Sequence, residues 1–215
     1  MQITIREPGS AITHFIAMLM TMAASMPLLI KVAITQNITH TIAICIFILS
    51  MVFLYGASTL YHSINLIDSK LKIFKKIDHM MIFVLIAGSY TPICVISLGN
   101  NTGYLLLSVV WLIAFAGMIF KLFWVTCPKW ISSVLYIALG WSCLSVFGTL
   151  WNVLPKAAFF WLLVGGIIYT IGGVIYALKL SIFNAKHKYF GSHEIFHCFV
   201  MAGSFCHVIC MYLIV

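Results

Sequence analysis

Stretches of about 20 apolar residues recur along the whole chain, and no other feature of the sequence restricts its fold as strongly. Hydrocarbon offers no partner to a backbone N–H or C=O, so each stretch satisfies its own backbone only as a helix. Seven such stretches are read, over about 12–33, 41–62, 77–98, 102–124, 131–151, 157–180 and 194–215. Of the 215 residues 63% are hydrophobic and 7% charged, against about 25% charged in a soluble domain, which excludes an ordinary soluble protein. The expected fold is an all-α integral membrane protein, a single seven-helix bundle over residues 1–215. The connections are short, without a linker, a low-complexity tract or an internal repeat. The first apolar run carries Pro27 and Lys31 rather than a small-residue cleavage pattern, so it reads as a retained helix and not as a signal peptide.

A net charge of +8 suggests nucleic acid in a soluble protein, but here the placement of the charge is the informative part. Arg6 precedes the first helix, Lys70, Lys72, Lys75 and Lys76 lie between the second and third, and Lys121 and Lys129 flank the next connection on that side. With Lys179, Lys186 and Lys188 before the seventh helix, ten of the twelve basic residues fall on one side. Only Lys31 and Lys156 fall on the other, so the positive-inside rule predicts a cytosolic N-terminus and an external C-terminus. Membrane lipids are the expected partners, with no nucleic acid. The seven cysteines, Cys45, Cys94, Cys127, Cys143, Cys198, Cys206 and Cys210, form no C-x-x-C pair and read as small hydrophobes in helix packing.

Ionisable residues at membrane depth are usually paired or functional, and here they cluster at the predicted cytosolic ends. The second helix ends in Ser58-Thr59-Leu60-Tyr61-His62, the third is expected to begin Lys76-Ile77-Asp78-His79, and the seventh to begin His193-Glu194-Ile195-Phe196-His197. His193 and His197 lie about 40° apart around a helix and one turn along it, a spacing that lets two imidazoles grip one ion. A third ligand is needed, and His62 is the best candidate by depth, with Ser58 one turn before it on the same face. Asp78 returns to the same level after a polar loop, where its carboxylate can orient a ligand or hydrogen-bond a metal-bound water. Two plainer readings stand beside this one: interfacial histidines cap helices or meet headgroups, and Asp78 alone can complement a helix dipole at an N-terminus.

The other histidines are less constrained. His79 is about 100° from Asp78 around the helix, so the two are not expected to face one centre. His207 lies about 15 Å deeper than His197, too far for the same ion, and is expected to bond Ser204 or another helix. His14 can approach the site from the start of the first helix, although no spacing requires it. His40 and His187 are expected to be solvated.

Read literally, His193 to His197 is the H-E-x-x-H of zinc metalloproteases, in which Glu194 would be the general base. Only eighteen residues follow His197, none of them acidic. The extended form with a downstream glycine and histidine meets Val200 and Gly203 instead. Proteases with a downstream ligand are therefore disfavoured, whereas an intramembrane protease with an upstream ligand remains open by spacing, Glu194 lying within about 60° of His197.

Taken together, Ser58-x-x-x-His62, Lys76-Ile77-Asp78-His79, Ala87-Gly88-Ser89-Tyr90-Thr91-Pro92, and Gly191 to His197 with Gly203-Ser204-x-x-His207 resemble the haemolysin III family. This is the bacterial branch of the progestin and adipoQ receptor superfamily, which includes the adiponectin receptors. Glu7 to His14 also looks like the family's opening segment, although Pro8-Gly9 departs from its usual polar pair. The resemblance spans essentially the whole chain and implies a bacterial plasma-membrane protein with one zinc near the inner leaflet. By motif the ligands would be His62, His193 and His197, with Asp78 and Ser58 supporting the zinc-bound water, whereas Glu194 is not a shared position. The implied function is a zinc-dependent hydrolase of a lipid amide or ester, with the acyl chain between helices; related membrane enzymes that split ceramide share the pattern. Three neutral imidazoles would leave zinc able to acidify a water toward about pH 7. Two rivals accompany it: a sensor or receptor with structural zinc, and a cytolysin, as the family name asserts.

Overall fold

The structure is a computed structural model and describes residues 5–35, 37–178 and 190–215. Its helices are α1 (Pro8–Thr35), α2 (Ile38–Ser63), α3 (Asp68–Pro92), α4 (Asn101–Phe123), α5 (Lys129–Gly140), α6 (Phe147–Val153), α7 (Lys156–Leu178) and α8 (Ser192–Ile214). A π-helical stretch, Ile93–Leu98, continues α3, and a 3₁₀ stretch, Trp141–Val146, joins α5 to α6. Counting these continuations, seven helices are long and apolar enough to cross a membrane, and no strand occurs among the described residues. The expected end of the sixth helix at 179–180, the basic residues Lys179, Lys186 and Lys188, and His187 lie outside the described residues.

Apolar residues surround most of these helices instead of forming one stripe, as helices with protein on one side and lipid on the other require. Leu105, Leu112, Phe115 and Ile34 stay exposed on the outside, where acyl chains replace water. Leu28, Ile44, Phe47, Phe83, Ala114 and Met211 are buried between the helices. In sequence order α1 packs on α2, α2 on α3 and α3 on α4; α5 packs on α7, α7 on α8, and α8 returns to α1. The last contact closes the bundle.

Where the helices start and stop follows local chemistry. Asn37 caps α2 by accepting from the His40 N–H at 3.0 Å, and Asn100 caps α4 by accepting from the Gly103 N–H at 3.0 Å. Gly99, at φ 56°, ends the π stretch in the left-handed region that favours glycine. The third helix begins at Asp68, nine residues before its expected start. Residues 68–76 are too polar to register as membrane-embedded, yet Asp68 sits in the first turn of a continuous helix and complements its dipole. Asp78 is therefore an interior helical residue, and the expected polar loop shrinks to residues 64–67.

The fifth apolar stretch, expected as one helix, crosses as one span but changes from α to 3₁₀ winding after Gly140, which breaks its regular α-helical hydrogen bonding. A break at membrane depth strands backbone groups that lipid cannot satisfy. Tyr90 of α3 repairs it: its hydroxyl donates to the Gly140 carbonyl at 2.6 Å and accepts from the Cys143 N–H at 2.8 Å. Trp141 Nε1 adds a bond to Thr170 Oγ1 of α7 at 2.9 Å. Replacing Tyr90 by Phe keeps the ring and strands both backbone groups, so a loss of about 1–3 kcal/mol is expected. Thermal unfolding of the purified variant in detergent, against wild type, measures it.

Candidate metal centre

The bundle brings the end of α2 and the starts of α1, α3, α5 and α8 together at one end, called here the basic end because Lys70, Lys72, Lys75, Lys76, Lys121 and Lys129 lie there. Lys31 and Lys156, at the other end, each donate to a helix-terminal carbonyl, of Tyr212 at 2.7 Å and of Trp151 at 2.5 Å. At the basic end His62 is the penultimate residue of α2, and His193 and His197 stand in the first two turns of α8. One ring nitrogen from each of the three lies within 4.8 Å of the others. The imidazole centroids of His62 are 5.0 Å from His193 and 5.3 Å from His197, and those of His193 and His197 are 4.5 Å apart.

A test of fit to a metal is available in the ring nitrogens. Nε2 of His62 and Nε2 of His193 are 3.3 Å apart. Two imidazoles at ordinary zinc–nitrogen lengths on a tetrahedral ion place their nitrogens about 3.3 Å apart. The tautomers also suit. Nδ1 of His62 bonds the Glu7 carboxylate, an acceptor, so that nitrogen carries the proton and Nε2 keeps its lone pair. Thr13 Oγ1 lies 2.9 Å from the Ser10 carbonyl and 3.0 Å from that of Gly9, to which its hydroxyl donates. Its oxygen is then the acceptor for His197 Nδ1 at 3.1 Å, leaving Nε2 of His197 with its lone pair. Outer partners that set the tautomer in this way are the usual support of a metal-binding histidine.

Those outer partners come from the segment entering α1. The Glu7 backbone N–H bonds the His62 carbonyl at 3.0 Å, and Arg6 donates to the Tyr61 carbonyl at 2.9 Å, so two of the orphan carbonyls at the end of α2 are satisfied. Arg6 also lies over the Tyr61 ring, 4.3 Å from its centroid. The bond between Glu7 and His62, aided by the nearby positive charge of Arg6, holds the Glu7 carboxyl below its ordinary value against the opposing effect of burial. Glu7, Arg6 and Thr13 did not emerge from the spacing argument. The available signal was scarcity: Glu7 is one of four acids in the chain, and it precedes the histidine-bearing start of α1.

Glu194 faces away from the cluster. One carboxylate oxygen accepts from the Gly191 N–H at 2.8 Å, capping α8, and the other accepts from the Ser10 hydroxyl of α1. With both oxygens engaged it works as a tether between α1 and α8. His14 stacks on His197 with centroids 3.5 Å apart and planes 9° apart, and neither of its buried ring nitrogens has a hydrogen-bond partner. It belongs to the site's wall but lies outside the three-residue group.

A cavity of about 160 Å³ opens beside the histidines, lined by His14, Ser58, Asp78, His79, His193 and His197 at this end. Along α3 and the first residue of its π-helical continuation its wall runs from Asp78 to Ile93, about 22 Å at helical rise. Asp78 is the one carboxylate on that wall among the described residues. His79 was expected to face elsewhere, yet its Nδ1 lies 3.4 Å from the Asp78 carboxylate and both side chains line the cavity. The cavity is broad enough to be walled by residues 100° apart on one helix. Deeper down, Ser204 does not pair with His207; it joins Tyr55 Oη at 2.6 Å and Tyr169 Oη at 2.8 Å. His207 packs edge-on against Tyr169 with centroids 5.2 Å apart.

A family model described as Haemolysin-III related matches residues 2–208. Among curated relatives, "Hemolysin-3 homolog" of Bacillus subtilis (strain 168) is 37% identical over 202 residues, covering 94% of this chain and 91% of the relative. "Hemolysin-3" of Bacillus cereus is 35% identical over 198 residues, covering 92% of this chain and 86% of the relative.

Because the folded state favours the ionised Glu7 carboxylate and so lowers its pKa, its contribution to stability is present above the unfolded value of 4.5 and is lost as pH falls through the lower folded value. The gap in Tm between wild type and Glu7→Gln is therefore expected to be largest above pH 4.5 and to close below it. A gap independent of pH would mean that Glu7 acts through packing alone.

Proposed function

The chain belongs to the haemolysin-III related family and is a multi-pass bacterial membrane protein, and on that premise we propose that it is a zinc-dependent hydrolase of a lipid amide or ester. The observation that carries this reading is the juxtaposition of three histidines with one buried carboxylate at the head of a long apolar cavity. Leu, Ile and Phe side chains such as Leu54, Ile82, Leu106 and Phe147 share the wall with Ser58, Ser89, Ser133, Thr170 and several tyrosines, a mixed lining that suits an acyl chain with its polar head toward the histidines. The orientation proposed, with the basic end in the cytosol, follows from the lysine distribution and puts this head at the inner leaflet.

His62, His193 and His197 would hold the ion, one per chain; when bound, zinc supplies a Lewis acid that polarises a carbonyl and acidifies water. The chain's own residues do the rest. Asp78 takes the proton of the attacking water and returns it to the leaving nitrogen or oxygen. Ser58, buried one turn before His62, donates a hydrogen bond within the site. Glu7 and Thr13 hold His62 and His197 in the tautomers that aim Nε2 inward, and His14, stacked on His197, fixes its ring plane. The surrounding helices exclude bulk water, so the electrostatics act at low dielectric. The relatives are named for haemolysis; a lipid-cleaving activity accounts for lysis through altered membrane composition, with no soluble pore former required of a chain built from seven apolar helices.

Purified protein is expected to hold about one zinc per chain by elemental analysis. His62→Ala and His197→Ala should lose it, His207→Ala and Asp78→Ala should keep it, and equal content in all four variants would remove the site. Lipid profiles of membranes holding wild type and Asp78→Ala then test turnover. A lipid depleted only by wild type, with release of its fatty acid, is the expected outcome; identical profiles would leave a metal-stabilised sensor. Glu194→Gln should retain turnover, since its carboxylate is spent on Ser10 and the α8 cap, while losing about 0.5–2 kcal/mol of stability.

A further inference from the structure

Beyond the histidine site, a second pocket of about 240 Å³ opens at the junction of α4 and α5. Lys75 of α3, Lys129 at the start of α5, Thr126, Cys127 and Ser132 line it, and His79 and Tyr176 are walls common to it and the long cavity. Directly behind it lies Lys121, with no exposed surface, its ammonium 3.1 Å from Cys127 Sγ and 2.5 Å from Ser132 Oγ. Both of those partners are themselves pocket walls. Lys129 lies with its ammonium 4.3 Å from the centroid of the Tyr176 ring.

The charge arithmetic of this corner does not close within the chain. A buried ammonium is costly unless an anion lies near it, yet among the described residues no carboxylate is within ion-pair distance of Lys121. The chain has only four acids, and none of them lines the pocket. Glu7 is engaged with His62 and Arg6, Glu194 with Ser10 and Gly191, Asp78 with His79, and Asp68 stands in the first turn of α3. An anion from outside the chain would supply the counter-charge that no carboxylate provides. The positive end of the α5 dipole points the same way, since Pro128 and Lys129 at its N-terminus line the pocket. His79, 8% exposed with its Nδ1 turned to Asp78, adds an imidazole to a lining of the two ammoniums of Lys75 and Lys129 and the hydroxyls of Thr126 and Ser132.

We propose that this pocket binds a phosphate group, with Lys75 and Lys129 at its rim and Lys121 behind its floor. The phosphate is that of an anionic membrane lipid or a free anion of the same chemistry; basic pockets between helices are a recurrent seat for such headgroups. Where the hydrolase reading of the first site also holds, the shared walls His79 and Tyr176 would place a phospholipid's ester next to Asp78. The substrate class would then be a glycerophospholipid.

Binding can be measured without turnover. Full-length protein in detergent, titrated with dioleoyl phosphatidylglycerol or dioleoyl phosphatidylcholine and read by native mass spectrometry, is expected to retain one phosphatidylglycerol at least tenfold more tightly. Lys75→Gln/Lys129→Gln should abolish that preference. Lys70→Gln/Lys72→Gln, which removes the same charge from the same end outside the pocket, should leave it intact. Equal losses in the two double variants would show diffuse attraction and overturn the proposal, as would no preference in wild type together with no effect of inorganic phosphate. A rise in Tm with inorganic phosphate that depends on Lys75 and Lys129, without lipid selectivity, would support the pocket and identify the free anion as its source. Lipid selectivity that inorganic phosphate does not reproduce identifies the headgroup. Because none of these readouts involves hydrolysis, an inactive first site would leave the result standing.

Discussion

Inside a bilayer a polar group without a partner has no water to fall back on, and the architecture of this protein follows from how each such group is matched. The broken fifth span survives because Tyr90 reaches across from α3 to both stranded backbone groups. The end of α2 survives because Arg6 and Glu7 cover its carbonyls. Ser204 is shared by two tyrosine hydroxyls from α2 and α7. Against that background the buried ring nitrogens of His14 and the converging ones of His62, His193 and His197 stand out, since nothing in the chain fully matches them.

The first helix gains its importance from this. It supplies no member of the three-histidine group, yet Glu7, Thr13 and Ser10 reach His62, His197 and Glu194 respectively. It therefore sets two tautomers and ties α2 to α8 at the one place where the histidines must meet. The same contacts change the meaning of the H-E-x-x-H spacing. Its histidines line the cavity, whereas its glutamate caps α8 and grips Ser10, so both carboxylate oxygens are engaged in structure.

The two ends of the bundle also differ in how charge is handled. At the far end Lys31 and Lys156 are absorbed by helix-terminal carbonyls. At the basic end Lys121 is buried, and among the described residues no carboxylate lies within ion-pair distance of it.

Helix count, class and the charge asymmetry could be read directly from the sequence because hydropathy is a local property and hydrocarbon permits few alternatives. The α8 spacing of His193 and His197, and the depth of His62, could be read for the same reason. The early start of α3 escaped because residues 68–76 project as a polar helix beyond the apolar stretch, and the break after Gly140 escaped because its repair lies fifty residues away in Tyr90. What only tertiary structure decided is which side chains close on the histidines: Glu7 meets a residue 55 positions away, and Ser10 and Thr13 meet residues 184 positions away. Periodicity places residues on one helix but carries no information about which helix lies opposite. The packing of α1 between α2 and α8 settled that.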